Sequence, residues 1–540
     1  MKKRILAMIL AAGMVMTSLA GCGQANSNGS GGSADSGIGE SDPVVNTGTG
    51  ELDTELHYAV NAEPQSMDIS RNTAIISRMI MKGTVFEELL TMDENYTPTP
   101  ELCERYEVNA DATQYTFYLR KGVKFHNGQE MTADDVVASM NKWIDSFSTA
   151  RDLVGSARFE KTDDSTVVIK LASSCATLPE LIADGLQVAV IVPKSIIESG
   201  LDDDGMMKEL IGTGPYKFVE WKSNQYIHLT KFDEYSPYGE KGKASGWWGY
   251  KEAGIRDIYY EFVADAATRV AGIQTGEYDL AYNLPQDSYL ELKNNPDVNL
   301  KLEDSGYIGC IFNKKAGLGA NETFRQACAY ALDMEAILTV AYGSSEFFTL
   351  NSSYVFKSSS WYSGKGDDRY NTKDLDKCHE LLKEMGYNGE TFTLLVTTDY
   401  QDMYNTGVAI AQQLNEAGIN TELLPVDWST LFEYRADENK YTAFITTFSS
   451  PAAPSIFIGF SPSWAGWTTD EKIIEMCAEI NSATSREEAY AKWEELQDYS
   501  WDYIPLIKIG DYSYLEGSST KLTGVDYFEG PVIWNAVLYK

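Results

Sequence analysis

The sequence predicts an α/β protein of mixed α+β character, larger than a single core, and three observations carry that reading. Residues 391–424 alternate an apolar strand pattern (391–397), a helical periodicity (about 402–417) and a second strand pattern (419–424). A β-α-β unit of this kind builds a parallel sheet covered by helices. Residues 114–147 read differently, as a strand, two turns and an amphipathic helix. Finally, roughly 490 residues follow the N-terminal segment, more than one hydrophobic core serves, so two or three domains are expected, some discontinuous in sequence.

In chain order, Lys2, Lys3 and Arg4 precede an apolar run from Ile5 to Val15, and no acidic residue occurs before Cys22. The run closes on Leu19-Ala20-Gly21-Cys22. A basic start, a short apolar segment and small residues before a cleavage point make residues 1–21 a secretory signal peptide. The apolar part is too short to cross ~30 Å of hydrocarbon. The tetrapeptide resembles a bacterial lipobox, which implies that Cys22 is lipidated; the plainer reading is a signal peptide with an incidental cysteine. Residues 23–50 are mostly Gly, Ser, Asn, Asp and Thr. Such a segment buries too little surface to offset its ordering entropy, so 22–50 reads as a lipidated cysteine and a flexible tether.

Residues 114–120 form the next clear strand, with Tyr115, Phe117 and Leu119 on one face. Val123 and Phe125 continue the alternation between a Lys121-Gly122 turn and an Asn127-Gly128 turn. Thr132 starts a helix with Asp135 as its capping partner, and Val136, Met140, Trp143 and Phe147 share one face. A strand follows at 166–171. Asp265 starts a helix over 266–275 that Gly276 stops, and 278–281 is a short strand. A helix over 322–340 places Phe324, Cys328, Ala331 and Leu332 inward. Leu375, Cys378, Leu382 and Met385 mark another, ended by Gly386. No internal repeat of fixed period occurs.

Acidic residues number 79 against 44 basic ones, a formal charge of −35. Such a surface repels nucleic acid and anionic head groups, which removes both as partners. The 33 tyrosines suit clefts and inter-domain surfaces, although Tyr also serves cores. Of seven cysteines, six remain beyond Cys22 without short repeated spacing. A disulfide framework is not expected in so large a body, one or two bridges staying open.

His57, His126, His228 and His379 have no metal-ligand spacing and no Cys-x-x-Cys occurs, so neither metal nor cofactor is expected. Asp202-Asp203-Asp204-Gly205 lacks the remainder of a calcium loop. Gly212-Thr213-Gly214-Pro215 lacks the lysine-hydroxyl ending of a phosphate loop and reads as a turn feeding a strand at 216–219. No Gly-x-Ser-x-Gly elbow is present, and no catalytic residue is assigned. An acid pair stays open on counting alone, which leaves an exported hydrolase as a distant alternative.

Several segments together resemble one family, the extracytoplasmic solute-binding lipoproteins of oligopeptide, dipeptide and nickel ABC importers (solute-binding protein family 5). Tyr115-Thr116-Phe117-Tyr118-Leu119-Arg120-Lys121-Gly122-Val123-Lys124-Phe125-His126-Asn127-Gly128, running on to Thr132-Ala133-Asp134-Asp135-Val136, is similar to that family's most recognisable block. Gly212-Thr213-Gly214-Pro215-Tyr216 resembles a second, and Asp265-Ala266-Ala267-Thr268-Arg269 with Gly276-Glu277-Tyr278-Asp279 a third. Phe324-Arg325-Gln326-Ala327 with Ala331-Leu332-Asp333 resembles a fourth. The resemblance implies a two-lobed periplasmic-binding-protein-like fold that closes on a ligand by hinge motion, with an additional domain. Lobe I is expected at 53–91, 209–310 and 511–540, the additional domain at 92–208, and lobe II at 311–510.

The same resemblance implies a monomeric binding module, not an enzyme, held at the outer face of the cytoplasmic membrane. It would capture a peptide and deliver it to ABC permease subunits. The alternatives are an oligosaccharide or a metal chelate handled by the same machinery. In peptide-binding relatives an aspartate in a lobe II loop pairs with the ligand's α-amino group. The matching stretch, 441–456, contains no acidic residue. Either another carboxylate takes that role or the ligand has no N-terminal ammonium. Candidate ligand contacts are Phe448 and Ser449 in that stretch, Trp464 and Trp467 just after it, Tyr307 near a lobe crossover, Met67, and the Trp247-Trp248 pair. Anchoring a loop on its own lobe is the competing role for Trp248.

Overall fold

The structure is a computed structural model that describes residues 51–540. The signal-peptide, Cys22 and tether expectations fall on residues 1–50 and lie outside the described residues. An 11-stranded mixed sheet is the spine of the fold. Glu55–Val60 runs parallel to Asp257–Phe262 on one side and to Leu280–Leu284 on the other. Beyond Asp257–Phe262 lie Tyr226–Lys231 and Tyr216–Lys222, both antiparallel. In the other direction the sheet passes through Leu506–Ser519 and Val298–Phe312 to Ala443–Phe448, Phe392–Thr397 and Thr421–Val426.

The β-α-β reading of 391–424 holds: Phe392–Thr397 and Thr421–Val426 pair in parallel, joined through the helix Gln401–Glu416. Val298–Phe312 and Leu506–Ser519 are the two longest strands, at 15 and 14 residues. They pair antiparallel along most of their length and shift register twice, between Asp304 and Gly306 and between Ile308 and Gly309. Ser305 is the unpaired residue at the first shift; its hydroxyl donates to the Glu303 carbonyl (2.9 Å) and accepts from the Tyr514 amide (3.1 Å). An extra residue of this kind bends the strand and increases its local twist.

A separate four-stranded antiparallel sheet joins Cys103–Val108, Gln114–Leu119, Thr166–Lys170 and Phe159–Asp163. Tyr115, Phe117 and Leu119 point inward, as the alternation predicts. The helix Ala133–Ser146 begins with the expected capping box between Thr132 and Asp135. Its Val136, Met140 and Trp143 are buried, while Phe147 leaves the helix and caps the next, Ser148–Val154.

Two expectations are corrected. The 322–340 segment is two helices, Glu322–Ala331 and Met334–Tyr342. Leu332 turns extended, and the Asp333 side chain accepts from the Ala336 amide at 3.0 Å to start the second. An aspartate that can cap a helix competes with continuing one. The strand after Gly276 begins at Leu280, not Tyr278. Tyr278 instead folds over Gly272, where an added Cβ would lie 2.3 Å from its ring.

Gly212-Thr213-Gly214 is a close-approach segment. The Gly214 amide donates to the Val85 carbonyl, and a Cβ on Gly212 would sit 1.9 Å from that oxygen. His126 packs beside it with Nε2 3.0 Å from the Gly214 carbonyl, and burial pushes its pKa down to about 4. The six described cysteines are all free, and Cys328 and Cys378 lie fully inside, on helix faces. No described helix is long and apolar enough to cross a membrane.

Candidate functional site

A cleft crosses the molecule where Ala443–Phe448 ends. Three chambers of about 990, 1380 and 40 Å³ share Ser449 in their walls. The larger two are of the size that holds ligands of several residues. Most large apolar side chains left open to solvent gather here. Phe432, Ile458 and Ile474 line the first chamber; Ile75, Leu290, Val340 and Tyr400 line the second. Apolar surface concentrated in a groove marks a binding surface.

The eight candidate residues are distributed unequally. Phe448 and Ser449 line both large chambers, and half-buried Trp464 lines the first, 5.6 Å from Phe448 between ring centroids. Tyr307 is fully buried behind this wall, paired in register with Phe448, stacked on its ring at 5.3 Å and capped by the Lys508 ammonium at 4.5 Å. Trp467 packs in the lobe core under Lys315, at 4.5 Å, in a positive-φ turn. Met67 is 2% exposed within the core. Trp247 is buried against Gly83 and Trp534, and its indole donates to Glu529 at 3.4 Å. Trp248 stays half-buried beside Gly239 in its own hairpin, Ala244–Ser245 with Trp248–Gly249. The structure therefore brings together Phe448, Ser449 and Trp464, and keeps the other five apart from them or behind them.

The smallest chamber has a distinct electrostatic character. Glu303, Asp304, Glu516 and Glu529 line it, with Arg78 as the one lining cation. Glu303 and Glu516 share a sheet face, because Glu303 pairs with Tyr514 and Lys301 with Glu516. Diagonal neighbours of this kind sit about 7–8 Å apart. Glu303 accepts from the Gly530 amide at 2.7 Å. Burial, with Glu529 and Asp304 adding to it, pushes its pKa up to about 8 against that bond and Lys301. Glu516 is 1% exposed and neither of its oxygens has a hydrogen-bond partner. Burial and then Glu303 raise its pKa far above the carboxylate range; the Asn283 amide opposes this without reaching hydrogen-bond geometry. Glu529 holds a positive φ of 55° and presses its carboxylate on Gly185, where any Cβ would collide with it. Arg78 is tied to the Thr73 and Gly185 carbonyls at 3.1 and 2.5 Å.

Chain-local patterns did not reveal the acids. Glu303 and Glu516 meet only through the pairing of strands some two hundred positions apart, and the one signal was an acidic residue within each apolar strand pattern. The arginines of the sequence blocks are braces. Arg269 donates to the Val263, Ala264, Tyr282 and Asn283 carbonyls, and Arg325 to those of Gly319, Ala320, Tyr503 and Ile504. Among the described residues no three His, Cys, Asp or Glu side chains form a metal-holding group.

Comparison with known proteins agrees with the geometry. A family model described as bacterial extracellular solute-binding proteins, family 5 Middle, matches residues 97–466. The chain is 29% identical over 479 residues to a probable peptide ABC transporter periplasmic-binding protein, y4tO, of Sinorhizobium fredii, covering 84% of this chain and 87% of that one. It is 27% identical over 487 residues to the oligopeptide-binding protein AppA of Bacillus subtilis, covering 81% and 84%. The crystal structure of the ABC transporter substrate binding protein CtaP from Listeria monocytogenes superposes with a TM-score of 0.77 at 20% identity, over 91% of this chain and 100% of that one.

Proposed function

This chain belongs to family 5 of the bacterial extracellular solute-binding proteins, and from that premise we propose that it captures peptides outside the cell for an ABC importer. The observation that carries the reading is the long cleft either side of Ser449, floored by apolar side chains and open enough for an extended chain. The names of its relatives y4tO and AppA, both peptide binders by description, support the same ligand class. In such a cleft main-chain hydrogen bonds give affinity and roomy pockets tolerate many side chains. Ligand contact with both walls biases an open–closed equilibrium toward the closed form, which docks on the permease.

In this reading Phe448, Ser449 and Trp464 touch the ligand, while Tyr307, Trp247, Trp248, Met67 and Trp467 support the walls. Lobe I comprises 53–91, 209–310 and 511–540, the additional domain 92–208 and lobe II 311–510, with the two longest strands at the lobe crossings. Cys22 carries the lipid that holds a monomer at the outer membrane face. The chain binds without catalysis. Glu303 and Glu516 border a chamber of about 40 Å³, which is too small for a sugar ring.

The test is mass spectrometry of whatever copurifies with the protein, released by denaturation. A ladder of short peptides is the expected result. A single sugar, chelate or other non-peptide species overturns the peptide assignment.

A further inference from the structure

We propose that the contact between residues 176–180 and residues 481–486 is a clasp that holds the cleft shut at one end before any solute is bound. The inference rests on the lobes and the cleft proposed above, because it joins the additional domain to lobe II across the first chamber. Asn481 lines that chamber from the lobe II side, and Phe147 and Leu186 line it from the other.

Three interactions make the contact. The Ala176 amide donates to the Ala483 carbonyl at 3.1 Å. The Thr177 hydroxyl donates to the Asn481 side-chain oxygen at 3.5 Å, and Ser455, also in the chamber wall, donates to the same oxygen at 2.6 Å. The Arg486 Nε pairs with Glu180 at 3.1 Å, and that carboxylate is only 5% exposed. Arg486 is steadied from its own lobe, over the Trp361 ring at 3.2 Å and donating to the Ser360 carbonyl at 3.1 Å. The Ser360 amide donates in turn to the Asn95 carbonyl at 2.8 Å, a second crossing to the additional domain.

The contact is polar, which makes it separable. Leu178, Leu181 and Ile182 on one side belong to one apolar core, and Ile480, Ala483 and Ala489 on the other belong to a second. Domains that meet through polar groups rather than a shared core move relative to each other. Burial pushes the Glu180 carboxyl up to about 7 against the pull of Arg486. Desolvation thus offsets much of the attraction, and the clasp closes without locking.

The far end of the cleft is held more weakly. There Glu346 meets Lys293 at 3.5 Å and the Tyr289 hydroxyl at 3.3 Å, beside the second chamber. Both charged side chains are exposed, and an exposed pair of this kind contributes little. A solute that binds only the closed form gains affinity from any contact that closes the cleft in advance, since apparent affinity scales with the competent fraction. The clasp therefore strengthens every ligand alike, without touching any of them.

The experiment is small-angle X-ray scattering of the full chain, refolded from denaturant to strip copurifying solute, beside calorimetric titration with tetra-alanine. The variants are Arg486→Met, Glu180→Gln and the two combined, with thermal melts to establish folding. The native protein is expected to be compact without ligand. Arg486→Met is expected to have a larger radius of gyration, to bind tetra-alanine at least about tenfold more weakly, and to regain the native radius at saturation. The combined variant strands no buried charge and is expected to fall between the two. Equal radii for native and Arg486→Met without ligand overturn the clasp, as does a native protein that is already expanded; normal tetra-alanine binding in either case leaves peptide capture standing. A difference in radius with no tetra-alanine binding by any of the proteins keeps the clasp and counts against the peptide reading. If Arg486→Met does not fold, Glu180→Gln, which removes the charge and keeps the size, decides on the same criterion.

Discussion

Two groups of carboxylates in this molecule are built on opposite principles. Glu87, Glu88 and Glu101 lie in the core with Lys82 and Lys251 enclosed among them. Glu303, Asp304, Glu516 and Glu529 border the cleft with no paired lysine or arginine. Inside the core the chain carries its own cations, so the charges are satisfied once folding is complete. At the cleft no such cation is paired with them among the described residues. The difference separates acids paired within the fold from acids left unpaired at the cleft, a distinction the net charge of −35 conceals.

The largest test of that contrast is Lys251→Met. It removes the ammonium that Glu87 and Glu101 share, and urea unfolding is expected to show a loss of about 3–5 kcal/mol. Glu516→Gln should go the other way. Replacing an unpartnered buried carboxyl by a neutral amide of equal size is expected to leave stability unchanged or raise it by roughly 1–2 kcal/mol in the ligand-free protein. A loss comparable to that of Lys251→Met would erase the distinction between the two groups.

A pH series sharpens it further. The Glu303 pKa stands near 8 in the folded protein, mainly through burial, against about 4.3 for a free glutamate. Between those values the folded state binds the extra proton, so this group's contribution falls as pH rises from about 5 to about 8. Glu88, raised by burial to about 7 despite Lys82, loses stability over part of the same range. The readout is therefore the native protein minus Glu303→Gln, and a flat difference curve would show that Glu303 stays ionised. The smallest effect on stability belongs to Trp464→Ala, within about 1 kcal/mol at a half-buried position, with peptide affinity falling about tenfold.

What the sequence disclosed follows the range of the interactions. The Thr132–Asp135 capping box and the Ala266–Thr275 helix, begun by Asp265 and ended by left-handed Gly276, are set by neighbours within four residues. The 322–340 segment misled because its apolar periodicity runs through the break, while the deciding bond from Ala336 to Asp333 has no periodic signature. At the cleft, Phe448, Ser449 and Trp464 occupy one short stretch and could be nominated together. Trp247, Tyr307 and Met67 carry side chains that look the same in a core as in a groove, and they are buried. Glu303 and Glu516 become neighbours only when two distant strands pair.

One feature of those strands bears on how such proteins diversify. Ser305 is a single surplus residue, and it adjoins both the 1380 Å³ and the 40 Å³ chambers. Its removal would let Asp304 and Gly306 follow the ladder without a shift and straighten the strand, leaving every acidic side chain present but taking away the bend beside them. Specificity in this lineage can thus change by one codon gained or lost inside a strand, an event that substitution-by-substitution comparison of relatives would score as a gap.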